Sequence, residues 1–260
     1  MLRLLKALPF ALALAALSLF ATSCGSGGSA AVRFINTIPD NGINGSIPLD
    51  IYFNNNLTST SPLAVNTVQP AISTPAKYLN VPSGNDTIVA YDTGTKSNPV
   101  VSSNAETGLS SSNNNSVQYT LLFAGYSDGP PNLYVISDNN TPPSANTIKL
   151  RVIDGSAFEG ANGLDVYVYQ TGTLPPATPQ FSNLTIGTTG NTGSASDYYP
   201  YSFTSGQPAS IIEVVRHGGP ILYNFSLPAF SPGEIMTVVL NDEPGGATIN
   251  PRPIVMVDLN

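Results

Sequence analysis

Residues 49–53 read LDIYF and residues 164–168 read LDVYV, so the same five-residue pattern occurs twice in the chain. In both copies, apolar side chains alternate with Asp and Tyr. This period of two is typical of a strand that turns one face to a hydrophobic core and the other face outward. After the first 24 residues the sequence contains no amphipathic helical pattern, so we predict an all-β protein.

Further segments recur in the same order and at nearly the same spacing, between 115 and 120 positions. Blocks that keep their order over so long a distance indicate a duplicated unit, and the small drift in spacing indicates insertions in loops. The clear pairs are VRFIN at 32–36 with LRVID at 150–154 and YTLLF at 119–123 with MTVVL at 236–240, and a looser pair joins 134–138 to 254–258.

Other strand-like runs are separated by turn signals rich in Pro, Gly, Asp and Asn. Short strands at this spacing, in units of about 115 residues, predict an antiparallel β-sandwich in each unit, with a barrel as the alternative. The runs lie at 86–91, 117–124, 132–136, 211–216, 221–227, 235–240 and 254–259.

The composition excludes several classes of protein. The net charge is -7, which argues against a nucleic-acid partner. One Cys and one His cannot build a disulfide framework or a zinc cluster. The 23 Gly and 23 Pro residues argue against a helical bundle, whereas a hydrophobic content of 41% is enough for a folded core.

The N-terminus has the pattern of a secretory signal. Arg3 and Lys6 precede an uncharged run at 7–21, which is too short for an ordinary membrane span. Small residues then precede Cys24, and this segment resembles the lipobox of bacterial lipoproteins, which implies cleavage before Cys24 and acylation of its thiol. The residue after Cys24 is Gly25 rather than Asp, and in this respect the chain resembles lipoproteins that are sorted to the outer membrane rather than retained in the inner membrane. The alternative is an ordinary secretory signal with an incidental Cys.

These patterns divide the chain into five parts. We predict a lipoprotein signal peptide at 1–23, a lipidated Cys with a flexible Gly/Ser tether at 24–30, and a polar, Pro-containing linker at 139–146. The two β-sandwich repeats occupy 31–138 and 147–260.

The first repeat also carries a family resemblance. Its segments at 32–40, 49–53, 78–84, 119–125 and 137–143 resemble the bacterial domain-of-unknown-function 4397 family, whose members are secreted or surface-anchored and often carry the unit in tandem. The second copy matches more weakly, since GSAF at 155–158 replaces the Pro-Asp turn. The resemblance implies two tandem immunoglobulin-like sandwiches and a cell-envelope location, and it supplies no catalytic residues and no cofactor.

Tyrosines provide the best candidate for ligand contact. Tyr198, Tyr199 and Tyr201 with Phe203 follow a polar Gly/Ser/Thr tract, and flat aromatic rings can stack on sugars or anchor a protein partner. The alternative is that these rings form a strand packed on the sandwich.

Charged residues give weaker candidates. His217 has no catalytic partner in the sequence pattern, so we interpret it as a surface residue beside a turn. Asp50 and Asp165 hold equivalent positions, and we predict surface ion pairs with Arg33 and Arg151 on a neighbouring strand. The Asp/Asn-rich turn at 40–45 lacks the spacing of an EF-hand, so no metal site is predicted.

Together these features predict a lipid-anchored protein of the cell envelope, most consistent with the outer membrane, that has a binding or structural role and no catalysis. We expect the bilayer as a partner through acylated Cys24, and a cell-wall glycan or an envelope protein as a further partner. No cofactor and no nucleic acid are expected. The alternatives are a glycoside or peptidoglycan hydrolase that uses paired carboxylates, and a partner of an envelope assembly machine.

The predicted anchor can be tested directly. We expect Cys24→Ser to abolish incorporation of a labelled fatty acid and to move the protein from the membrane fraction to the soluble fraction, because one thiol carries the lipid. The Ser26→Ala variant, two residues away, is the control and should behave as the wild type. Equal membrane retention of the Cys24→Ser variant would contradict the prediction.

Overall fold

A computed structural model describes residues 28–38, 48–73, 77–97, 99–102, 107–110, 118–125, 130–144, 147–155, 163–189, 198–202, 210–241 and 253–259. Throughout these segments the regular structure is β-strand, and no helix occurs in them. Accordingly, no helix with the length and apolar character of a membrane span is present in the described segments. The prediction of an all-β protein is confirmed.

Two sets of strands pair separately, one on each side of the predicted linker. The first set contains β1 (Ser29–Asn36), β2 (Leu49–Phe53), β3 (Asn56–Leu57), β4 (Thr67–Gln69), β5 (Leu79–Pro82), β6 (Gly84–Asp86), β7 (Ile88–Asp92), β8 (Pro99–Ser102), β9 (Thr107–Leu109), β10 (Gln118–Ala124) and β11 (Asn132–Asp138). The second set contains β12 (Thr147–Asp154), β13 (Leu164–Gln170), β14 (Phe181–Leu184), β15 (Tyr199–Ser202), β16 (Ser210–Arg216), β17 (Ile221–Ser226), β18 (Ile235–Leu240) and β19 (Ile254–Leu259).

Within each set, two sheets pack face to face as a β-sandwich. In the first set, a sheet of order β11-β10-β1-β4, with β5 also paired to β1, packs on a sheet of order β3-β2-β7-β8. Alternate residues of both sheets fill the core between them, among them Val32, Phe34, Ile51 and Ala90. The second set repeats this arrangement with sheets β15-β12-β18-β19 and β14-β13-β16-β17 around their own core.

One strand pairing in each sandwich differs from the predicted antiparallel arrangement. β1 runs parallel to β10, and β12 runs parallel to β18. Most of a repeat separates the two strands of each pair, so no short hairpin forces them to be antiparallel. The two parallel pairs share one register, with Arg33 opposite Thr120 and Arg151 opposite Thr237.

Most predicted strands are confirmed, including those at 117–124, 132–136, 211–216 and 235–240. The first strand begins earlier than predicted, at Ser29 inside the expected tether. Ala30 is small and apolar, and it is completely buried in the first core, while Ser29 pairs with Pro82.

A third hydrophobic core lies between the two sandwiches. All its members except Ile186, which follows β14, lie on the faces of the β1 and β12 sheets that point away from their own sandwich cores. The central strands β1, β10, β12 and β18 are therefore buried on both faces. The cluster contains Ile35, Leu122, Ala124 and Ile136 from the first set, and Ile153, Ile186, Val239, Ile254 and Met256 from the second.

Gly187 tests how tightly this third core is packed. A Cβ atom at Gly187 would lie 2.0 Å from the ring of Tyr134 in the other sandwich, whereas a Cβ at Gly172 would meet nothing within 4 Å. Both glycines have positive φ. We expect Gly172→Ala to cost about 1–2 kcal/mol from backbone strain alone, and Gly187→Ala to cost about 1–3 kcal/mol more from overpacking. Urea unfolding measures both, and equal losses would contradict the described contact.

Candidate functional site

Two arginines occupy the centre of the structure, one on β1 and one on β12. Their neighbours Val32 and Val152 point into the sandwich cores, so strand alternation turns Arg33 and Arg151 toward the opposite sandwich. Both side chains are completely buried. A buried guanidinium group requires partners of opposite charge, because desolvation of an unpaired charge is very costly.

Asp138 and Asp258 supply that charge. We call Arg33, Arg151, Asp138 and Asp258 the charge cluster. Arg33 Nη1 contacts Asp258 Oδ1 in the other sandwich, and Arg33 Nη2 lies 3.4 Å from Asp138 Oδ2 in its own. Arg151 Nη2 lies 2.7 Å from Asp138 Oδ1 across the interface and 3.9 Å from Asp258 Oδ2 in its own sandwich. The shorter ion pairs are therefore those between the two sandwiches.

Hydroxyl groups complete the cluster in the same way on both sides. Thr120 donates to Asp138 at 2.9 Å, and Thr237 donates to Asp258 at 2.5 Å. Each threonine also accepts from the Nε atom of an arginine, at 2.8 Å from Arg33 and at 3.1 Å from Arg151. The arrangement is nearly two-fold symmetric, like an isologous interface between two subunits.

A tyrosine ring covers each guanidinium group. Arg33 Cζ lies 5.3 Å from the ring centre of Tyr78, and Arg151 Cζ lies 4.7 Å from that of Tyr198, which are cation–π distances. The Tyr78 hydroxyl donates to Asp138 at 2.8 Å. Burial, reinforced by the carboxylate of Asp138, raises the pKa of Tyr78 above its ordinary value.

The ionisation of the cluster follows from this geometry. Burial by itself would raise the pKa of Asp138, but the guanidinium groups of Arg151 and Arg33 outweigh it and hold the pKa below its usual range. Burial by itself would lower the pKa of Arg33, but Asp138 and Asp258 raise it. The two guanidinium groups and the carboxylate of Asp138 are therefore charged at neutral pH. Asp258 contacts Arg33 as the second carboxylate of the cluster.

The predicted ion pairs between the two arginines and the aspartates Asp50 and Asp165 are wrong. The carboxylate of Asp50 accepts from the backbone N–H of Gly94 at 3.0 Å, and that of Asp165 accepts from Ser182 Oγ and from the N–H of Asn183. Both aspartates lie on the faces of β2 and β13 that point away from the sandwich cores, whereas the arginines lie in the opposite sheets. The alternation in the sequence correctly placed the two aspartates on the polar faces of their strands, but it could not show that these strands and the arginine strands belong to different sheets.

The predicted tyrosine contacts fall in several different environments. Tyr198 is 2% exposed beneath the charge cluster, so its ring is not presented to an external ligand. The rings of Tyr199 and Tyr201 pack on the second core, 6.1 Å from the ring of Phe181 and 6.3 Å from that of Phe230. These positions fit the alternative, a strand packed on the sandwich. Phe203, like Cys24 and the turn at 40–45, lies outside the described residues.

A different group of polar side chains lies on the outer face of the β13–β16 sheet. We call Asp165, Tyr167, Tyr169, Glu213 and His217 the outer polar face. Their neighbours on β13 and β16 point into the second core, and the register places Tyr167 opposite Glu213. Asp165 and Glu213 are 7% and 8% exposed, while the side chain of His217 is 49% exposed.

Hydrogen bonds fix most of this face. His217 Nδ1 lies 2.9 Å from Asp165 Oδ1, and the Tyr169 hydroxyl donates to Glu213 at 3.1 Å. Burial by itself would raise the pKa of Asp165, but hydrogen bonds from His217, Asn183 and Ser182 lower it. The side chain of Tyr167 is half-buried, and its hydroxyl group makes no hydrogen bond to a side chain or backbone group of the described residues. The face therefore offers an aromatic ring beside fixed carboxylates and an imidazole.

The equivalent face of the first sandwich is already occupied by its own side chains. Lys96 Nζ lies 4.2 Å from the ring centre of Tyr52, and the ring of Tyr91 meets that of Tyr52 edge-on at 5.5 Å. Tyr52, the counterpart of Tyr167, is 8% exposed. Within the described segments, no group of three or more His, Cys, Asp or Glu side chains is arranged to hold a metal ion.

The charge cluster should show strong coupling in a double-mutant cycle. We expect Asp258→Leu and Arg33→Met each to lower the free energy of unfolding by about 3–5 kcal/mol, because each leaves an unbalanced buried charge. The double variant retains the neutral Arg151–Asp138 pair and should lose clearly less than the sum of the single losses. Asp50→Asn, outside the cluster, is the control and should cost under about 1 kcal/mol. Additive losses in urea unfolding would contradict the coupling.

The cluster should also make stability sensitive to acid. The pKa of Asp138 is lower in the folded protein than its ordinary value of 3.8, so its stabilisation is present above that value and is lost as the pH falls through the folded-state pKa. We expect the free energy of unfolding to decrease below about pH 4. The decrease should be shallower in Asp138→Asn, and parallel curves from urea unfolding at pH 2–7 would contradict this assignment.

Comparison with known proteins gives one family and distant structural matches. A family model described as a domain of unknown function (DUF4397) matches residues 30–167. A solved structure from Bacteroides uniformis, described as a "putative cell adhesion protein", is 10% identical, with 89% of this chain and 99% of that chain covered and a TM-score of 0.28. Another so described, from Bacteroides eggerthii, is 13% identical over 89% and 95% of the two chains, with a TM-score of 0.22. No curated protein sequence matches the chain.

The family match extends from β1 through most of β13 and includes Arg33, Tyr78, Thr120, Asp138 and Arg151. It covers more than half of the 260 residues and confirms the resemblance expected from the sequence segments. The chain belongs to the DUF4397 family of domains of unknown function.

Proposed function

We propose that this protein is a lipid-anchored binding protein of the cell envelope, built from two tandem immunoglobulin-like sandwiches. The lipobox-like segment before Cys24 supports the anchor, and the repeated sheet orders support the tandem arrangement. The charge cluster and the third core join the two sandwiches over a buried apolar and ionic interface. Such an interface favours a rigid body, because separating the sandwiches would break the ion pairs.

We assign ligand binding to the outer polar face. The observation that carries this assignment is the contrast between the two sandwiches: Lys96 covers Tyr52, whereas Tyr167 remains half-exposed beside Asp165, Glu213 and His217. An aromatic ring can stack on the apolar face of a sugar, and fixed carboxylates can accept hydrogen bonds from its hydroxyl groups. A cell-wall glycan is therefore the ligand class that fits this face best.

A hydrolase is disfavoured by the state of the carboxylates. Glycoside hydrolysis requires one protonated carboxyl group with a raised pKa. Asp138 and Asp258 lie close together on the same arginine, but they are buried and the pKa of Asp138 is lowered. The pKa of Asp165 is lowered as well, and its oxygens already accept three hydrogen bonds.

Binding to purified peptidoglycan sacculi tests the assignment. We expect Tyr167→Ala in the detergent-solubilised full chain to weaken binding about 10-fold, which corresponds to about 1.4 kcal/mol. Tyr91→Ala, on the equivalent face of the first sandwich, is the matched control and should bind as the wild type. Equal losses in both variants, or no binding by the wild type, would rule out this face for glycans. Release of soluble sugars that is lost in Asp165→Asn would support the hydrolase.

A further inference from the structure

Residues that occupy equivalent positions in the two repeats meet across the interface. Arg33 and Arg151 share the same two carboxylates, and Ile35 and Ile153 belong to the same hydrophobic cluster. Farther along the strands, a Cβ atom at Gly155 would lie 2.9 Å from Thr37 Oγ1. Thr37 and Gly155 are again 118 positions apart, as are the two arginines. Equivalent residues can meet both at the arginines and at the ends of the strands only if β1 and β12 run in the same direction across the interface.

This common direction gives the whole molecule two distinct ends. At one end, which we call the base, β1 and β12 begin. β5, β11 and β19 end at the base, because β5 and β11 are antiparallel to β1 and β10, and β19 is antiparallel to β18. The opposite end, which we call the far end, contains Thr37, Gly125, Pro130 and Gly155, where β1, β10 and β12 finish and β11 is about to begin.

The connection between the two sandwiches agrees with these directions. It leaves β11 at Asp138 and enters β12 at Thr147, so both of its ends lie at the base. Lys149 Nζ donates to the carbonyl of Thr141 at 2.6 Å, and the N–H of Thr147 donates to the carbonyl of Ser144 at 3.2 Å. The described part of the connection is therefore held against the beginning of β12.

The tether also arrives at the base. The N–H and the hydroxyl group of Ser83 both donate to the carbonyl of Gly28, at 3.1 Å and 2.6 Å. Cys24 precedes Gly28 by four residues, so the chain between them spans at most about 14 Å. β1 alone, with 8 residues, is about 23 Å long. A lipid on Cys24 can therefore reach the base but not the far end.

We propose that the base of both sandwiches faces the phospholipid headgroups and that the far end points away from the membrane. This orientation rests on the proposed acylation of Cys24. It does not depend on attraction between the protein and the lipids, because the chain is acidic and anionic headgroups would repel it. The short tether sets the orientation, and the rigid junction between the sandwiches extends it from the first repeat to the second.

Energy transfer from tryptophan to the membrane tests the orientation, since the chain contains no Trp of its own. The acylated full chain is reconstituted into vesicles of phosphatidylethanolamine and phosphatidylglycerol that contain a dansyl-headgroup lipid. Two exposed prolines form a matched pair, Pro142 in the connection at the base and Pro130 at the far end. We expect the emission of Pro142→Trp to be quenched at least about twice as strongly as that of Pro130→Trp, because the sheet separates the two sites by about 20 Å.

A second pair, Ser144→Trp at the base and Thr188→Trp at the far end beside Asp154, makes the result independent of any one site. Flotation with the vesicles is measured on the same samples. Flotation with stronger quenching at the base supports the proposal. Flotation with equal or reversed quenching overturns the orientation and leaves the lipid anchor intact. Failure of the wild type to float overturns the anchor and the orientation together.

Discussion

The structure depends on two buried arginines that are neutralised across an interface. Each guanidinium group lies closest to an aspartate of the other sandwich, while its own aspartate is farther away. Neither sandwich alone could bury its arginine with balanced charge at these distances, because the desolvation of one charge must be offset by a nearby opposite charge. The two sandwiches are therefore coupled by electrostatics as well as by the third hydrophobic core. Strands β1, β10, β12 and β18, which would otherwise expose one face, are buried on both.

This coupling determines which surfaces remain for function. The outer faces of the sheets that carry the arginines are buried in the junction. The ring of Tyr198 is buried there as well, because it packs over the guanidinium group of Arg151. The sheets that carry Asp50 and Asp165 keep their outer faces, and these faces differ: one is covered by Lys96 and the other presents Tyr167. The two faces of the duplicated unit therefore have different roles. The inner faces are nearly symmetric because they bind each other, whereas the outer faces are free to diverge.

Much of the secondary structure could be predicted, but the candidate sites could not. Strand runs such as 235–240 were evident from alternation, which is a local property. The charge cluster left a signal as well, because Arg33 and Arg151, Tyr78 and Tyr198, Thr120 and Thr237, and Asp138 and Asp258 all recur at spacings of 117 to 120. The sequence analysis instead predicted Asp50 and Asp165, which also recur, as the ion-pair partners of the two arginines. Periodicity shows which residues share a face of a strand, but it does not show which of several faces meet. Tyr198, Tyr199 and Tyr201 were chosen because flat aromatic rings can stack on sugars or anchor a protein partner. The burial of Tyr198 depends on a junction that joins residues more than 200 positions apart, such as Arg33 and Asp258.

The amino-acid sequence by itself determined the all-β class, the family, the duplication and the positions of most strands, because hydrophobic alternation and turn residues act over a few neighbours. Only the tertiary structure decided that the aspartates at the ends of β11 and β19 neutralise the two arginines, that equivalent residues of the two repeats face each other, and that both repeats begin at the same end of the molecule. These features arise from packing between sheets, where the balance of buried charge selects one arrangement among several that the local pattern allows equally.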